Sequence, residues 1–211
     1  VTGGPLALRT LVIDCATEGC SVALFEGDML LAGEMRMLGR GHAEQLVPMI
    51  AALPDNGRSN RILVALGPGS FTGLRVGLAA ARALALAWSA QLFGYPTHAL
   101  IAAMARQTAG DVPLAVATTG GHGEWFLTDF LSDGEPRHET RSLAPAHAAT
   151  TSEHCIAGSQ AQALVSARGY GSALPIWPDA REAMLLPDSA LSDARPLYGR
   201  APDARLPGTG G

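Results

Sequence analysis

One stretch limits this chain more than any other: Ile62-Leu-Val-Ala-Leu-Gly67-Pro-Gly-Ser-Phe-Thr-Gly73-Leu-Arg-Val-Gly-Leu-Ala-Ala-Ala-Arg-Ala-Leu-Ala-Leu-Ala-Trp88. Ile62 to Leu66 is apolar at every position, so the strand it forms has no water-facing side and its sheet is covered on both faces. A glycine-rich turn follows. Gly67, Gly69 and Gly73 allow backbone angles and close approaches that a side chain blocks, and Ser70 or Thr72 can cap the helix that begins there.

That helix, Gly73 to about Trp88, carries only two charges, Arg75 and Arg82, seven residues apart on one narrow stripe. A helix apolar nearly all round is expected to be buried nearly all round. At 1.5 Å per residue it is about 24 Å long, shorter than the roughly 30 Å of a bilayer core. It is therefore either a central core helix or one whose far side another protein chain covers.

Composition narrows the classes of function. The 211 residues suffice for one large domain or two small ones. With a net charge of −4, no basic surface is large enough to hold nucleic acid by counterion release. All fifteen basic residues are arginine. The absence of lysine excludes a Walker lysine, a Schiff-base lysine and a lysine general base. Cys15, Cys20 and Cys155 form no CxxC pair, which fits reduced thiols in a cytoplasmic protein better than a disulfide framework or a zinc site. Val1 to Ala7 precedes the first strand signal and is set aside as a tail.

In chain order, Leu8–Cys15, Ser21–Phe25 and Met29–Met35 read as three strands, with Glu26-Gly-Asp28 as a turn. His42–Leu53 places Leu46, Val47, Met49, Ile50 and Leu53 at helical spacing, and Pro54-Asp-Asn-Gly57 stops it. The Ile62 strand, the glycine loop and the long helix come next, then a strand at Gln91–Gly94 and a helix at Thr97–Thr108. The order is βββαβαβα. The second half repeats it more loosely: strands at Val112–Thr118, Glu124–Leu131 and near Arg141, a helix near Pro145–Thr151, a strand at His154–Ala157, a helix at Ser159–Ala167, and a last strand and helix at Ala173–Trp177 and Ala180–Leu186. The repetition predicts an α/β protein of two duplicated lobes, residues 1–110 and 111–211, the second ending in an irregular proline-bearing tail from Pro187.

Candidates for chemistry are few. Asp14 ends the first strand, where an acid can hold a metal-bound phosphate in the cleft at the strand ends, or can instead fix backbone N–H groups of its own turn. The matching place in the second half, Thr118-Thr-Gly-Gly121, has no acid, whereas a phosphoryl-transfer cleft needs anionic metal ligands on both walls. The loop of Gly67, Gly69, Ser70, Thr72 and Gly73 can cradle phosphate at a helix N-terminus. It matches neither GxxxxGK[ST] nor GxGxxG, so close strand–helix packing is the favoured reading. Ser70 does not sit in a GxSxG elbow. The six histidines are scattered, and His42-Ala-Glu-Gln-Leu46 puts leucine where a second metal ligand on the helix would stand, so no metal site is read.

These residues resemble a known family. Leu11-Val-Ile-Asp14-Cys-Ala-Thr17-Glu-Gly-Cys-Ser-Val-Ala-Leu24 is similar to its opening strand and hairpin, and His42-Ala-Glu-Gln-Leu46-Val-Pro-Met-Ile50 to its first helix. Gly67-Pro-Gly-Ser-Phe-Thr-Gly73-Leu-Arg-Val-Gly77 resembles its most specific signature, and Arg195-Pro-Leu-Tyr198-Gly-Arg200-Ala-Pro its closing segment. The family is TsaB, also called YeaZ, from the bacterial machinery that makes N6-threonylcarbamoyladenosine at position 37 of tRNA. The resemblance is strong over Leu8–Leu100 and weak from there to Leu191.

The resemblance implies an actin/Hsp70/sugar-kinase-like (ASKHA) fold and a non-catalytic scaffold role beside TsaD, which transfers the threonylcarbamoyl group, and TsaE, an ATPase. It implies a heterodimer with TsaD through the first two helices. The residues expected at that interface are His42, Leu46, Met49, Ile50, Leu53, Gly77, Ala81, Leu84 and Trp88. Self-pairing is expected without TsaD, and any tRNA contact is indirect or minor. No cofactor is implied for the isolated chain, and ATP with magnesium only within the complex. TsaD-like relatives carry an HxxxH pair on the first helix, and Leu46 is consistent with the non-catalytic branch. Many relatives read Asp-Ala-Arg before Gly-Glu at the start of the second lobe; here Thr119-Gly-Gly121-His122-Gly123-Glu124 lacks that Asp and Arg. The alternative function is a nucleotide-dependent phosphotransferase or hydrolase using Asp14 and the glycine loop. A hydrolase with Ser70 or Cys15 as nucleophile lacks a partnered base.

Overall fold

The computed structural model describes residues 8–194. The closing segment from Arg195, one of the four stretches that carry the family resemblance, lies outside them. The first half builds β1 (Arg9–Asp14), β2 (Gly19–Glu26), β3 (Met29–Met37), α1 (His42–Ala51), β4 (Arg61–Ala65), α2 (Phe71–Trp88), β5 (Gln91–Tyr95) and α3 (Thr97–Ala109). The strands lie side by side as β3-β2-β1-β4-β5. Short turns make the β1–β2 and β2–β3 pairs antiparallel, while helical crossovers make β1–β4 and β4–β5 parallel.

The second half builds β6 (Leu114–Thr119), β7 (Trp125–Phe130), β8 (Arg141–Leu143), α4 (Pro145–Ala148), β9 (Cys155–Ala157), α5 (Ala161–Arg168) and β10 (Ser172–Leu174). Its sheet runs β8-β7-β6-β9-β10, the same order as the first. Two lobes of one topology confirm the duplicated α/β reading.

Apolar strands decide the layering. Leu11 to Ile13 and Val22 to Leu24 are fully buried, so the first sheet is covered on both sides. Leu11, Ile13, Ile62 and Val64 face α1 and α2; Val12, Ala23, Leu63 and Ala65 face the opposite way, toward Tyr95, Leu100 and a short 3-10 helix at Ala180–Leu185. That helix departs from the sequence reading. Ala180 and Ala183 are buried on the first lobe's sheet, not the second's. The proline-bearing tail is not wholly irregular either, because β11 (Ser192–Asp193) pairs antiparallel with β5. The second half, read as one unit from 111 onward, thus sends its last described residues back to complete the first lobe. Small residues at 180 and 183 fit against a sheet that is short of cover on that side.

The long helix also differs from expectation. It begins two residues earlier, at Phe71, and its 18 residues make it long and apolar enough by composition to count as a candidate membrane span. Only one stripe, Gly73, Leu74, Gly77, Leu78 and Ala81, is buried within the lobe. The central-core alternative is thereby corrected: outside that stripe the helix's far side lies bare.

Candidate functional site

Asp14 ends β1 as a buried acid. Its carboxylate is 1% exposed and both oxygens have partners inside the chain. Oδ1 accepts the Ala16 N–H at 2.9 Å, and Oδ2 accepts the Tyr95 hydroxyl at 3.0 Å. Burial pushes the carboxyl up from 3.8 to about 7, against the two hydrogen bonds, and the neighbouring Asp179 adds to the rise. Asp14 therefore does what the second of its two sequence readings describes: it fixes its own turn. Asp179 was not picked out from sequence. It reaches this region on the returning C-terminal segment, pairs with Arg181 at 2.6 Å, and belongs to a cover in which the Ala180 N–H donates to Ser21 Oγ and Trp177 Nε1 to Glu18.

The glycine loop rests on the end of β1. A Cβ on Gly69 would stand 2.0 Å from the Ala16 carbonyl oxygen, and one on Gly73 2.0 Å from that of Cys15. The Ser70 N–H donates to the Ala16 carbonyl at 2.7 Å, and Ser70 Oγ caps α2 by accepting the Gly73 N–H at 3.2 Å. Thr72 is exposed and Gly67 takes a left-handed φ of 101°. The space that these glycines open is occupied by the first strand's own backbone, as the close-packing reading expects.

At the equivalent strand end of the second lobe the paired side chains are neutral. Thr119 Oγ1 lies 3.4 Å from Ser159 Oγ and accepts from Gln160 Nε2 at 3.0 Å. Behind them, His98 of α3 is buried with Nδ1 2.8 Å from Thr128 Oγ1 and Nε2 2.8 Å from Thr118 Oγ1. Burial pushes its imidazole down from 6.5 to about 3, so it is neutral and fastens α3 to the second sheet. A cavity of about 900 Å³ runs beside α3, lined among others by Arg106, Asp111, Asp133, Glu135 and Glu139. Among the described residues no three His, Cys, Asp or Glu side chains converge as a metal site.

The residues expected at a helical interface are largely core. Leu46, Met49, Ile50, Leu53 and Ala81 are buried in one cluster beneath α1 and α2, with Leu84 and Trp88 half-buried against it. Gly77 is buried over Cys15. His42 is buried with Nε2 3.0 Å from the Thr17 carbonyl and 3.3 Å from that of Gly19, where its N–H donates to the β1–β2 turn. The outward faces hold other residues: Val47, Pro48 and Ala51 on α1, and Ala79, Arg82, Ala83, Leu86 and Ala87 on α2. Leu86 is 85% exposed and Val47 63%. At the start of α2, Phe71 stands exposed under the Arg75 guanidinium, 3.6 Å from the ring centre. With both faces of α2 apolar, periodicity cannot say which one meets the sheet; the stripe that does carries Gly73, Gly77 and Ala81, small enough for close approach, with Leu74 and Leu78 between them.

Two lobes of one strand order, with α3 packed against both, define a protein of the actin/Hsp70/sugar-kinase fold class. A family model described as TsaD, tRNA N6-adenosine threonylcarbamoyltransferase, matches residues 36–173. The TsaB protein of Escherichia coli K12 is 33% identical over 131 residues, 60% of this chain and 56% of that one. The TsaB protein of Buchnera aphidicola is 25% identical over 126 residues, 57% of this chain and 60% of that one. The aligned stretch thus spans little more than half the length of these relatives. The solved structure of YeaZ from Pseudomonas aeruginosa superimposes with a TM-score of 0.76 at 25% identity, covering 90% of this chain and 99% of that one. The chain belongs to the TsaD family and, within it, to the TsaB (YeaZ) proteins, whose named members take part in tRNA threonylcarbamoyladenosine biosynthesis.

Proposed function

We propose that this chain is a non-catalytic subunit that docks onto a TsaD-type partner through the outward faces of α1 and α2. The observation that carries the reading is the bare, largely apolar side of α2, with Leu86 85% exposed in its last turn. Exposed apolar surface of this kind marks a contact with another protein, and self-pairing follows when the partner is missing. The two internal partners of Asp14 and the lack of an acid in the Thr118–Gly121 stretch support a role without chemistry of its own. In this reading TsaE joins the complex, tRNA contact is indirect or minor, and ATP with magnesium enters only at a junction between subunits. The complex works in the cytoplasm.

The test is co-purification with TsaD of wild type, Leu86→Arg, Ala83→Glu and Val47→Glu, with circular dichroism to confirm folding. Loss of the complex by folded variants is expected. Undiminished complex from all three would overturn the interface. Reconstituted threonylcarbamoyladenosine synthesis with TsaD and TsaE, with and without this chain, tests the pathway role. Calorimetric titration of the isolated chain with Mg-ATP tests the absence of chemistry, and turnover would overturn it.

A further inference from the structure

Cys15 and Cys20 flank the four-residue turn that joins β1 to β2, one step beyond the paired Asp14 and Ser21. Both are buried, and their sulfurs stand 3.6 Å apart. A disulfide needs about 2.05 Å between sulfurs, so closing the gap asks for a movement of about 1.5 Å. Little lies between the pair and the two helices above it. Gly77 of α2 would place a Cβ 3.5 Å from Cys15 Cβ and 3.7 Å from its sulfur. The Cys15 carbonyl lies against Gly73, and His42, the first residue of α1, holds the turn at Thr17 and Gly19. A shift of the turn therefore reaches the first residue of α1 and the first two turns of α2 directly.

We infer that Cys15 and Cys20 form a reversible dithiol–disulfide couple, oxidised by small hydroperoxides, that sets how α1 and α2 seat on the sheet. Cys20 reacts first. The hydrogen bond from the Cys15 thiol holds Cys20 below its ordinary range, while the same contact and burial push Cys15 up. The Cys20 thiolate attacks one peroxide oxygen: an S–O bond forms, the O–O bond breaks, and hydroxide leaves to be protonated as water. Cys15 sulfur then attacks the Cys20 sulfenic sulfur: the S–S bond forms, the S–O bond breaks, and the hydroxyl leaves as water with the Cys15 proton. In sum, two thiols and one hydrogen peroxide give one disulfide and two waters. A dithiol such as dithiothreitol reverses it by exchange.

The test uses the full chain. It is treated with hydrogen peroxide, unfolded, alkylated with N-ethylmaleimide and cut with trypsin, which leaves both cysteines on the single fragment Thr10–Arg36. The expected product is that fragment lighter by two hydrogens and unalkylated, restored to a doubly alkylated form by dithiothreitol, with Cys155 still alkylated. Two free thiols, a sulfinic acid on either cysteine, or a bridge to Cys155 would overturn the couple. In Cys15→Ser, which keeps a donor beside Cys20 but no thiol to displace the hydroxyl, Cys20 is expected as a sulfenic acid that labels with dimedone. Amide hydrogen exchange reads the coupling: oxidation should change protection over Gly73–Leu78 and leave α5 unchanged, and equal protection in both forms would overturn it. These readouts need no partner. A separate arm compares TsaD capture by the two forms, with capture by neither counting against the docking reading alone.

Discussion

α2 and α5 hold the same place in the two lobes, each crossing from the fourth strand of its lobe's order to the fifth, yet they are built differently. Both start on a glycine loop that stands on the lobe's first strand: the Ser70 N–H donates to the Ala16 carbonyl at 2.7 Å, and the Gln160 N–H to that of Ala117 at 3.0 Å. A Cβ on Gly158 would stand 2.3 Å from that carbonyl oxygen, as one on Gly69 would stand 2.0 Å from Ala16. Beyond the loops the likeness ends. α5 has eight residues and turns out Gln162, Ala163, Ser166 and Ala167, half of them polar, whereas α2 has 18 and turns out Ala79, Arg82, Ala83, Leu86 and Ala87 along its last three turns. α5 shows that the fold itself does not require an apolar outer face at this position. What α2 adds is length and an exposed leucine, Leu86.

The largest effect is expected where the two loops agree. Gly73→Ala and Gly158→Ala each drive a methyl into a backbone oxygen and should cost about 3 kcal/mol or more, whereas Gly121→Ala, with nothing near its Cβ position, should cost far less. Chemical denaturation of the three variants checks this, and a mild Gly158→Ala would break the equivalence of the loops. Next comes the outer face. Leu86→Arg should weaken partner binding by about 2 kcal/mol or more while changing fold stability by no more than about 0.5 kcal/mol. Gln162→Arg on α5 should change neither. Calorimetric binding beside thermal melts decides, and equal losses from the two helices would dissolve the contrast.

The smallest effect contrasts a buried group from each side of the cleft. Asp14 is raised to about 7, so the folded state holds a proton that the unfolded chain has lost. Its stability contribution is full below about pH 4 and declines as pH rises to about 7. His98 is lowered to about 3, so its contribution is full above about pH 6.5 and declines as pH falls. Between pH 5 and 7 the two oppose each other, each by about 2 kcal/mol. Asp14→Asn should therefore gain stability with rising pH across that window, and His98→Gln should lose it. Denaturation midpoints at pH 5, 6 and 7 read the slopes directly, and a slope unchanged from wild type in either variant would remove that group from the account.

Much of the fold was legible because its signals are local. Apolar runs such as Ile62–Leu66, turn residues such as Glu26-Gly-Asp28, and the glycine loop carry their structure in neighbouring residues, so the repeated strand–helix order could be read off directly. The interface was not legible in the same way. The resemblance points to two helices and not to their faces, and His42, Leu46, Met49, Ile50, Leu53, Gly77 and Ala81 are buried within the lobe. The side left exposed instead consists of what remains, including Val47, Ala79, Ala83 and Leu86.

Sequence alone determined that α2 needs cover beyond a water-facing side, that the chain is a duplicated α/β protein without lysine chemistry, and that Asp14 faces no acid in the Thr118–Gly121 stretch. Tertiary structure decided which stripe of α2 lies against the sheet and which is left bare. It also decided that Tyr95, 81 residues from Asp14, would take its second oxygen, and that residues 180–193 would return to the first lobe. The division follows from range. Strand and helix patterns are set by sterics and periodicity within a few residues, whereas the partner of a buried polar group, or the inner face of a helix apolar on both sides, is set by whichever distant surface arrives to be covered.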